Sequence, residues 1–177
     1  MPGKLKIANL IDGSITQIKN VPKVQYSSQG GLSEVVLDPD FASNNMIYLS
    51  YSARNSDGKS TLYLMSAVLN KDTLENKKVI FEAKAPRRVP VHLGAKIAFL
   101  DDGTILLASG DGFDHREKAQ TLDNHFGKII RINKDGTVPP DNPFVNVEDA
   151  LPDIYSYGHR NQQGLIVTKT GEIYEHE

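Results

Sequence analysis

Residues 96–109, KIAFLDDGTILLAS, show the strand–turn–strand pattern on which the fold prediction rests. Its two apolar runs, KIAFL and TILLAS, flank an Asp-Asp-Gly sequence at 101–103. Asp-Gly between apolar runs of this length is typical of the tight turn of a β-hairpin. A similar pattern surrounds the Asp-Gly pair at 12–13. We therefore predict antiparallel strands joined by short turns at both places.

Helical patterns are weak throughout the chain. No segment combines a sustained period of 3.6 residues with capping residues, which an amphipathic helix would require. Residues 63–70 and 116–122 are expected to form a turn or two of helix at most. The sequence therefore predicts an all-β protein.

Strand–turn–strand units recur along the chain. Gly31, Gly94 and Gly164 each open such a unit, at intervals of 63 (94 − 31) and 70 (164 − 94) residues. Repeated four-stranded antiparallel units predict a β-propeller, whereas a β-sandwich of unrelated hairpins is the alternative. In the propeller interpretation, residues 1–177 are one partial propeller domain. Its approximate blades are 1–30 (partial), 31–90, 91–150 and 151–177 (partial).

The composition of the chain excludes several classes of function. The 177 residues contain 20 Lys and Arg against 22 Asp and Glu, a formal net charge of −2. Such a balance provides no attraction to nucleic acid or anionic lipid. No apolar run approaches the roughly 20 residues of a membrane-spanning helix, so neither nucleic-acid binding nor membrane insertion is expected. The absence of Cys excludes thiol catalysis and Cys-ligated zinc, and the first residues show no signal peptide.

A histidine and an aspartate stand out as a candidate acid–base pair. His92, in VHLG (91–94), lies at the entry to a predicted strand, and Asp111 follows the next strand. A hairpin would bring the two to one sheet edge, where the carboxylate could orient the imidazole as a general base. A structural histidine with a satisfied partner is the alternative interpretation.

Two further segments suit the binding of a flat, oxygen-rich ligand. SSQGGL (27–32) places Gln29 before two glycines, which permit close approach. YGHRNQQG (157–164) presents Arg160 and Asn161, donors suited to carboxylate or quinone oxygens. A glycine-rich turn and a surface loop are the alternatives. The five His share no metal-ligand spacing, so no metal ligand is predicted in the chain.

These segments, in this order and spacing, resemble the soluble pyrroloquinoline quinone (PQQ)-dependent aldose sugar dehydrogenases, the glucose/sorbosone dehydrogenase family. The resemblance covers nearly the whole chain from about Gly3 onward. Three longer stretches carry it: QGGLSEVVLDPDFASNNMIYLSYS (29–52), AQTLDNHFGKIIRINKDGTVPPDNPF (119–144) and LPDIYSYGHRNQQGL (151–165).

The resemblance implies a fold and a reaction. The fold is a β-propeller, six-bladed when complete, of which this chain supplies about three blades of four-stranded antiparallel sheet. The reaction oxidises the anomeric C1 hydroxyl of an aldose sugar to a lactone by hydride transfer to PQQ, which is held with Ca²⁺ and passes electrons to an external acceptor. By resemblance, the catalytic base is His92, its orienting carboxylate is Asp111, the amide lining the cofactor site is Gln29, and the quinone contacts are Arg160 and Asn161.

Three departures from the family motifs bear on the cofactor. The family usually has H-x-G-G-R or H-x-S-G-R where this chain has Ala95 and Lys96, and Lys cannot reproduce a bidentate Arg contact. Gln162 replaces a proline, which is expected to loosen the loop that holds Asn161. These departures motivate a second hypothesis, a non-catalytic β-propeller that serves as a binding or interaction module without the cofactor.

The resemblance also places much of the site outside these 177 residues. Most of the implied calcium ligands would lie beyond Glu177, so the chain alone is expected to be inactive. An open half-propeller exposes unpaired sheet edges, and we expect it to be poorly soluble or to associate, for example as a homodimer. A periplasmic or secreted location is implied by the resemblance alone.

Overall fold

Strands account for nearly all of the regular structure in residues 2–177, which a computed structural model describes. The strands are β1 (Lys6–Ala8), β2 (Ile15–Gln17), β3 (Leu32–Leu37), β4 (Met46–Arg54), β5 (Ser60–Asn70), β6 (Thr73–Glu82), β7 (Gly94–Phe99), β8 (Ile105–Ser109), β9 (Lys128–Ile132), β10 (Ile154–Tyr157), β11 (Gly164–Val167) and β12 (Ile173–His176). The helices are α1 (Phe41–Asn44) and a 3₁₀ helix (Arg116–Gln120).

The strands form two four-stranded antiparallel sheets and two ribbons of two strands each. The first sheet pairs β3 to β6 in chain order, and the second pairs β7 to β10 in chain order. The ribbons are β1–β2 and β11–β12. The hairpins expected around 12–13 and 101–103 are confirmed, and so are the four-stranded antiparallel units.

The second sheet extends past the approximate boundary predicted at residue 150. Its last strand, β10, pairs with β9 from Ile154 opposite Ile130 to Tyr157 opposite Lys128. A long proline-containing loop separates the two strands, and Asn142 fastens it by donating to the carbonyl oxygens of Arg131 and Pro152, each at 3.0 Å. The strand pattern in the sequence stops at this loop, although the sheet resumes after it.

The helical turn expected at residues 63–70 is wrong, because these residues lie in β5. This strand pairs with β4 and β6, and residues 60–67 are all buried except the half-buried Tyr63. A strand covered on both faces loses the alternation of polar and apolar residues. The short helix expected at 116–122 is confirmed by the 3₁₀ helix. Neither helix in the described residues approaches the length or apolar character needed to cross a bilayer.

The apolar core lies in layers between the sheets and ribbons. Leu64 and Leu107 belong to the largest cluster, which joins the first sheet to the second. The next residue of β5, Met65, faces the other way and packs with residues near the β1–β2 ribbon. Leu106 likewise faces Leu165 of the β11–β12 ribbon. Both four-stranded sheets are therefore buried on two faces, as stacked propeller blades are.

Candidate active site

The predicted site residues lie at one end of three neighbouring strands. β7 contacts β3 on one side and β11 on the other. Gln29 precedes β3, His92 precedes β7, and Arg160 and Asn161 precede β11. Because β8 returns antiparallel to β7, Asp111 emerges beside His92. The fold thus gathers all five residues at one edge.

His92 and Asp111 form a buried hydrogen-bonded pair. Nδ1 of His92 lies 2.9 Å from Oδ1 of Asp111, and the two residues are 8% and 1% exposed. The N–H of Phe113 also donates to this Oδ1, at 2.8 Å. Since an ionised carboxylate only accepts hydrogen bonds, neutral His92 carries its proton on Nδ1. Nε2 therefore holds the lone pair of a base.

Nε2 of His92 is free to meet a substrate. No residue among 2–177 donates to it or accepts from it. The imidazole is 11% exposed, and the ring of Phe113 lies edge-on against it at 5.2 Å between centroids. A buried, oriented imidazole with one free nitrogen can take a proton from a hydroxyl group.

A second histidine–aspartate pair in the same chain shows what a purely structural pair looks like. Nε2 of His125 lies 2.9 Å from Oδ1 of Asp153, the same distance as in the first pair. Nδ1 of His125 accepts from the backbone N–H of Lys84 at 2.8 Å. Both of its ring nitrogens are occupied, so His125 cannot serve as a base. The free nitrogen distinguishes His92.

The backbone of His92 is held in an unusual conformation from two sides. Its φ is +45°, in the left-handed region that costs a non-glycine residue about 1 kcal/mol or more. Oε1 of Gln29 accepts from its N–H at 2.9 Å. Nη2 of Arg87 donates to the carbonyl oxygens of His92 at 3.4 Å and Gly110 at 2.7 Å. Gln29 therefore orients the candidate base, in addition to its predicted place in the cofactor pocket.

Sequence reasoning missed Arg87, which lies in the segment KAPRR (84–88). Arg87 is 1% exposed, and its neighbour Arg88 is exposed. The signal was the alternation in this extended segment: Ala83, Ala85 and Arg87 are buried, whereas Lys84 and Arg88 are exposed. Period-two alternation places Arg87 on the inward side.

An open pocket of about 310 Å³ lies beside the pair. It is lined by Gln29, Leu32, Ser33, Leu93, Gly94, Lys96, Asn161 and Gln163. Two of the predicted cofactor-binding residues, Gln29 and Asn161, thus share one cavity, and Lys96 adds a positive charge. His92, Asp111 and Arg160 are not part of this lining.

Gln162 does not loosen the loop that carries Asn161, contrary to expectation. Its side chain is fully buried, and Nε2 donates to the carbonyl oxygen of Lys128 at 3.2 Å. Its Oε1 accepts no hydrogen bond from residues 2–177 and lies 2.7 Å from the position a Cβ on Gly94 would take. Gln162 therefore ties the loop to β9. Glycine is favoured at position 94 by its φ of +66° and by the backbone nitrogen of Gly110, 3.0 Å from the position of a Cβ.

Arg160 packs through its backbone and presents its side chain to solvent. The carbonyl oxygen of Arg160 accepts from Asp111 N–H at 2.7 Å, and its own N–H donates to Oε1 of Glu177 at 2.6 Å. Within the described part of the chain, the guanidinium makes no hydrogen bond or ion pair and is available to an anion.

A histidine and two glutamates lie close together next to this loop. Ligating atoms of His159, Glu175 and Glu177 fall within 4.8 Å of one another, a spacing that a divalent cation could bridge. The same atoms already contact one another, since Nδ1 of His159 lies 3.2 Å from Oε1 of Glu175 and 3.6 Å from Oε1 of Glu177. The trio fastens the loop that holds Arg160 to β12.

The comparison with known proteins agrees with this geometry. A family model described as glucose/sorbosone dehydrogenase matches residues 1–177. The chain belongs to this family. The family is one of sugar dehydrogenases, which are oxidoreductases, and its solved members establish the β-propeller fold for these sheets.

Individual members of the family are similar to this chain over nearly its whole length. An aldose sugar dehydrogenase of Escherichia coli is 34% identical over 93% of this chain and 45% of its own length. A solved glucose dehydrogenase superposes with a TM-score of 0.94 at 38% identity, covering 99% of this chain and 56% of the other. The PQQ-bound aldose sugar dehydrogenase of Streptomyces coelicolor gives a TM-score of 0.76 at 25% identity, covering 98% and 49%. The chain spans less than half the length of the curated relatives that it matches.

Proposed function

We propose that the protein oxidises the anomeric C1 hydroxyl of aldose sugars to lactones, with PQQ as the hydride acceptor. The observation that carries the proposal is the buried His92–Asp111 pair with Nε2 of His92 free. The aldose sugar dehydrogenases among its relatives support the substrate class, and the PQQ-bound neighbour supports the cofactor.

The residues present suit an anionic quinone. The 310 Å³ pocket is at the lower end of the roughly 300–1,000 Å³ typical of small-molecule sites. Gln29 and Asn161 offer amides to the ligand. Lys96 adds a cation whose Nζ lies 3.7 Å from Oε1 of Glu34, and Arg160 presents an exposed guanidinium nearby. Carboxylate and quinone oxygens are the groups that such donors bind. These residues would hold PQQ, which when bound supplies an electron-poor carbonyl carbon that accepts a hydride.

The chain's own residues then supply the acid–base chemistry. Nε2 of His92 takes the proton of the sugar's C1 hydroxyl as the C–H bond of that carbon is broken. Asp111 keeps the other ring proton on Nδ1 and stabilises the imidazolium that forms, as a buried carboxylate does beside a catalytic histidine. Gln29 holds the backbone N–H of His92, so the ring enters the reaction already oriented.

A cofactor titration followed by a turnover assay tests the proposal. The protein at its natural length is titrated with PQQ, with and without Ca²⁺, while the quinone absorbance is followed; aldose-dependent dye reduction is then measured. Saturable binding and turnover with at least one aldose are expected. The non-catalytic alternative predicts no quinone binding, and binding without turnover on any aldose would contradict the dehydrogenase proposal. Calcium, the external electron acceptor, a homodimer and an exported location remain predictions.

A further inference from the structure

Arg87 is buried beside the candidate base, and within residues 2–177 its guanidinium makes no hydrogen bond to a carboxylate. Its guanidinium donates to three carbonyl oxygens, those of Ala85, His92 and Gly110. Carbonyl oxygens carry no net charge, so these bonds supply no counter-ion. Its Nε has no hydrogen-bond partner among the described residues. A buried cation is costly unless an opposite charge lies nearby.

The charge that faces Arg87 is that of Asp111. Burial lowers the pKa of Arg87 to about 10, and the nearby Asp111 carboxylate opposes this shift. Arg87 therefore remains a cation at neutral pH. With Asp111 ionised, the buried group of Arg87, Asp111 and neutral His92 has no net charge, and it becomes cationic when His92 gains a proton.

Arg87 also connects the first sheet to the site. Its backbone pairs with Ser60 at the start of β5, through N–H···O bonds of 2.7 and 2.9 Å. From that anchor the side chain reaches across to His92 and Gly110, and its guanidinium lies over the ring of Phe126 at 5.2 Å. The carbonyl oxygen of His92, in its left-handed conformation, is thus fixed from the neighbouring blade.

We propose that Arg87 is a positioning residue for the His92–Asp111 pair: it fixes the backbone of His92 and opposes protonation of the pair. The proposal rests on the proposed function, because it assigns Arg87 a role in the same site. The positive charge of Arg87 opposes the addition of a second positive charge at His92. A buried cation disfavours a second positive charge nearby, so Arg87 keeps His92 in the neutral form that can accept a proton.

Other charges around the pair are more exposed and act more weakly. Apart from Asp111, each of them is half-buried or exposed, where water and salt screen its field. The charged and titratable groups around Arg87 and His92 are Lys59, Arg88, Asp111, Asp114, His115, Arg116, Lys118 and Arg160. Arg87 is the fully buried cation in this set, so its removal should dominate the pH response.

Three variants separate charge from hydrogen bonding. Arg87→Met removes both, and Arg87→Lys keeps the charge but loses the forked donation to three carbonyl oxygens. Arg88→Met removes an exposed cation from the adjacent position. In the protein at its natural length, Arg87→Met should shift the acidic limb of the kcat/KM profile upward by about one pH unit. Arg87→Lys should leave the limb in place and lower kcat/KM about tenfold, whereas Arg88→Met should change neither.

A second measurement needs no turnover. Diethyl pyrocarbonate modifies unprotonated histidine, so the pH of half-maximal modification of His92, followed by peptide mass spectrometry, reports its protonation directly. Arg87→Met should move this pH upward by about one unit, even if the protein oxidises no sugar; failure of the proposed function is thereby distinguished from failure of this inference. An unmoved value in folded Arg87→Met, or an equal shift in Arg88→Met, would overturn it.

Discussion

Replacing Gly110 with alanine should separate the two halves of the candidate acid–base pair. Gly110 precedes Asp111, and a Cβ built on it would lie 2.2 Å from the carbonyl oxygen of His92 and 3.0 Å from that of Arg160. Ordinary contact begins at 3.4 Å, so the first clash is 1.2 Å deep (3.4 − 2.2). Both neighbours are backbone atoms, which cannot move aside as a flexible side chain would.

The magnitude follows from this overlap. Forcing one extra methyl into a packed region typically costs about 1–3 kcal/mol. We expect Gly110→Ala to cost about 3 kcal/mol, at the upper end, because rigid backbone surrounds the site. A displacement of about 1 Å between His92 and the substrate should also lower kcat/KM by about a hundredfold.

Urea unfolding and steady-state kinetics measure the two effects. A matched control is Gly13→Ala, which has a left-handed φ of +71° but open space around its Cβ. This control should lose about 1–2 kcal/mol from backbone strain and keep its kcat/KM. If Gly110→Ala lost no more stability than Gly13→Ala and kept full turnover, the close approach of Gly110 to His92 would not be what positions the pair.

Three other substitutions test the remaining parts of the account. Asp111→Asn should lower kcat/KM by about 10²–10⁴, because an amide can donate to Nδ1 and favour the wrong tautomer of His92; dye-linked assays showing less than a threefold loss would contradict this role. Burial alone would raise the pKa of Asp38, but hydrogen bonds from Asp40 N–H, Asn44, Lys134 and Tyr48 together hold it below its usual 3.8. Its stabilisation is therefore fully present above that value and is lost as pH falls through the folded pKa. Asp38→Asn should consequently cost about 2 kcal/mol at pH 7, and urea unfolding should show the difference from wild type vanish once Asp38 is protonated. Lys128 is fully buried and donates to the carbonyl oxygens of Lys118, Ala119 and Phe126 at 3.0, 3.1 and 2.5 Å. Lys128→Met removes these three charge-assisted hydrogen bonds, although the oxygens of Lys118 and Ala119 still accept from the N–H groups of Thr121 and Gly158. It should cost about 2–3 kcal/mol, against less than about 0.5 kcal/mol for the exposed Lys169→Met.

The sequence predicted the parts of the fold that local chemistry determines. Asp-Gly turns and alternating strands such as those at 96–109 are local signals, and the structure confirms them. The two misjudged segments depend on distant contacts. Residues 63–70 are covered on both faces, so no alternation could show, and β10 rejoins its sheet only after a long loop.

The parts of the site that lie within one hairpin were predicted, whereas the contacts between separate sheets were not. His92 and Asp111 could be placed together because one hairpin connects them, and the 2.9 Å hydrogen bond agrees. The role of Gln29 in holding the His92 backbone depends on contact between separate sheets, which the sequence alone does not show. The expectation for Gln162 was wrong for a related reason. Its buried amide donates a hydrogen bond to β9, and this bond holds the loop that a proline would have stiffened.

Two histidine variants distinguish a catalytic imidazole from a structural one. His92→Gln and His125→Gln each remove one imidazole from a histidine–aspartate pair of the same length, but only His92 has a free ring nitrogen. In the protein at its natural length, loaded with PQQ, aldose-dependent dye reduction is measured alongside quinone binding. The account predicts that His92→Gln binds the quinone and loses at least a hundredfold in kcat, while folded His125→Gln retains turnover. Full turnover in His92→Gln, or an equal loss in both variants, would contradict it.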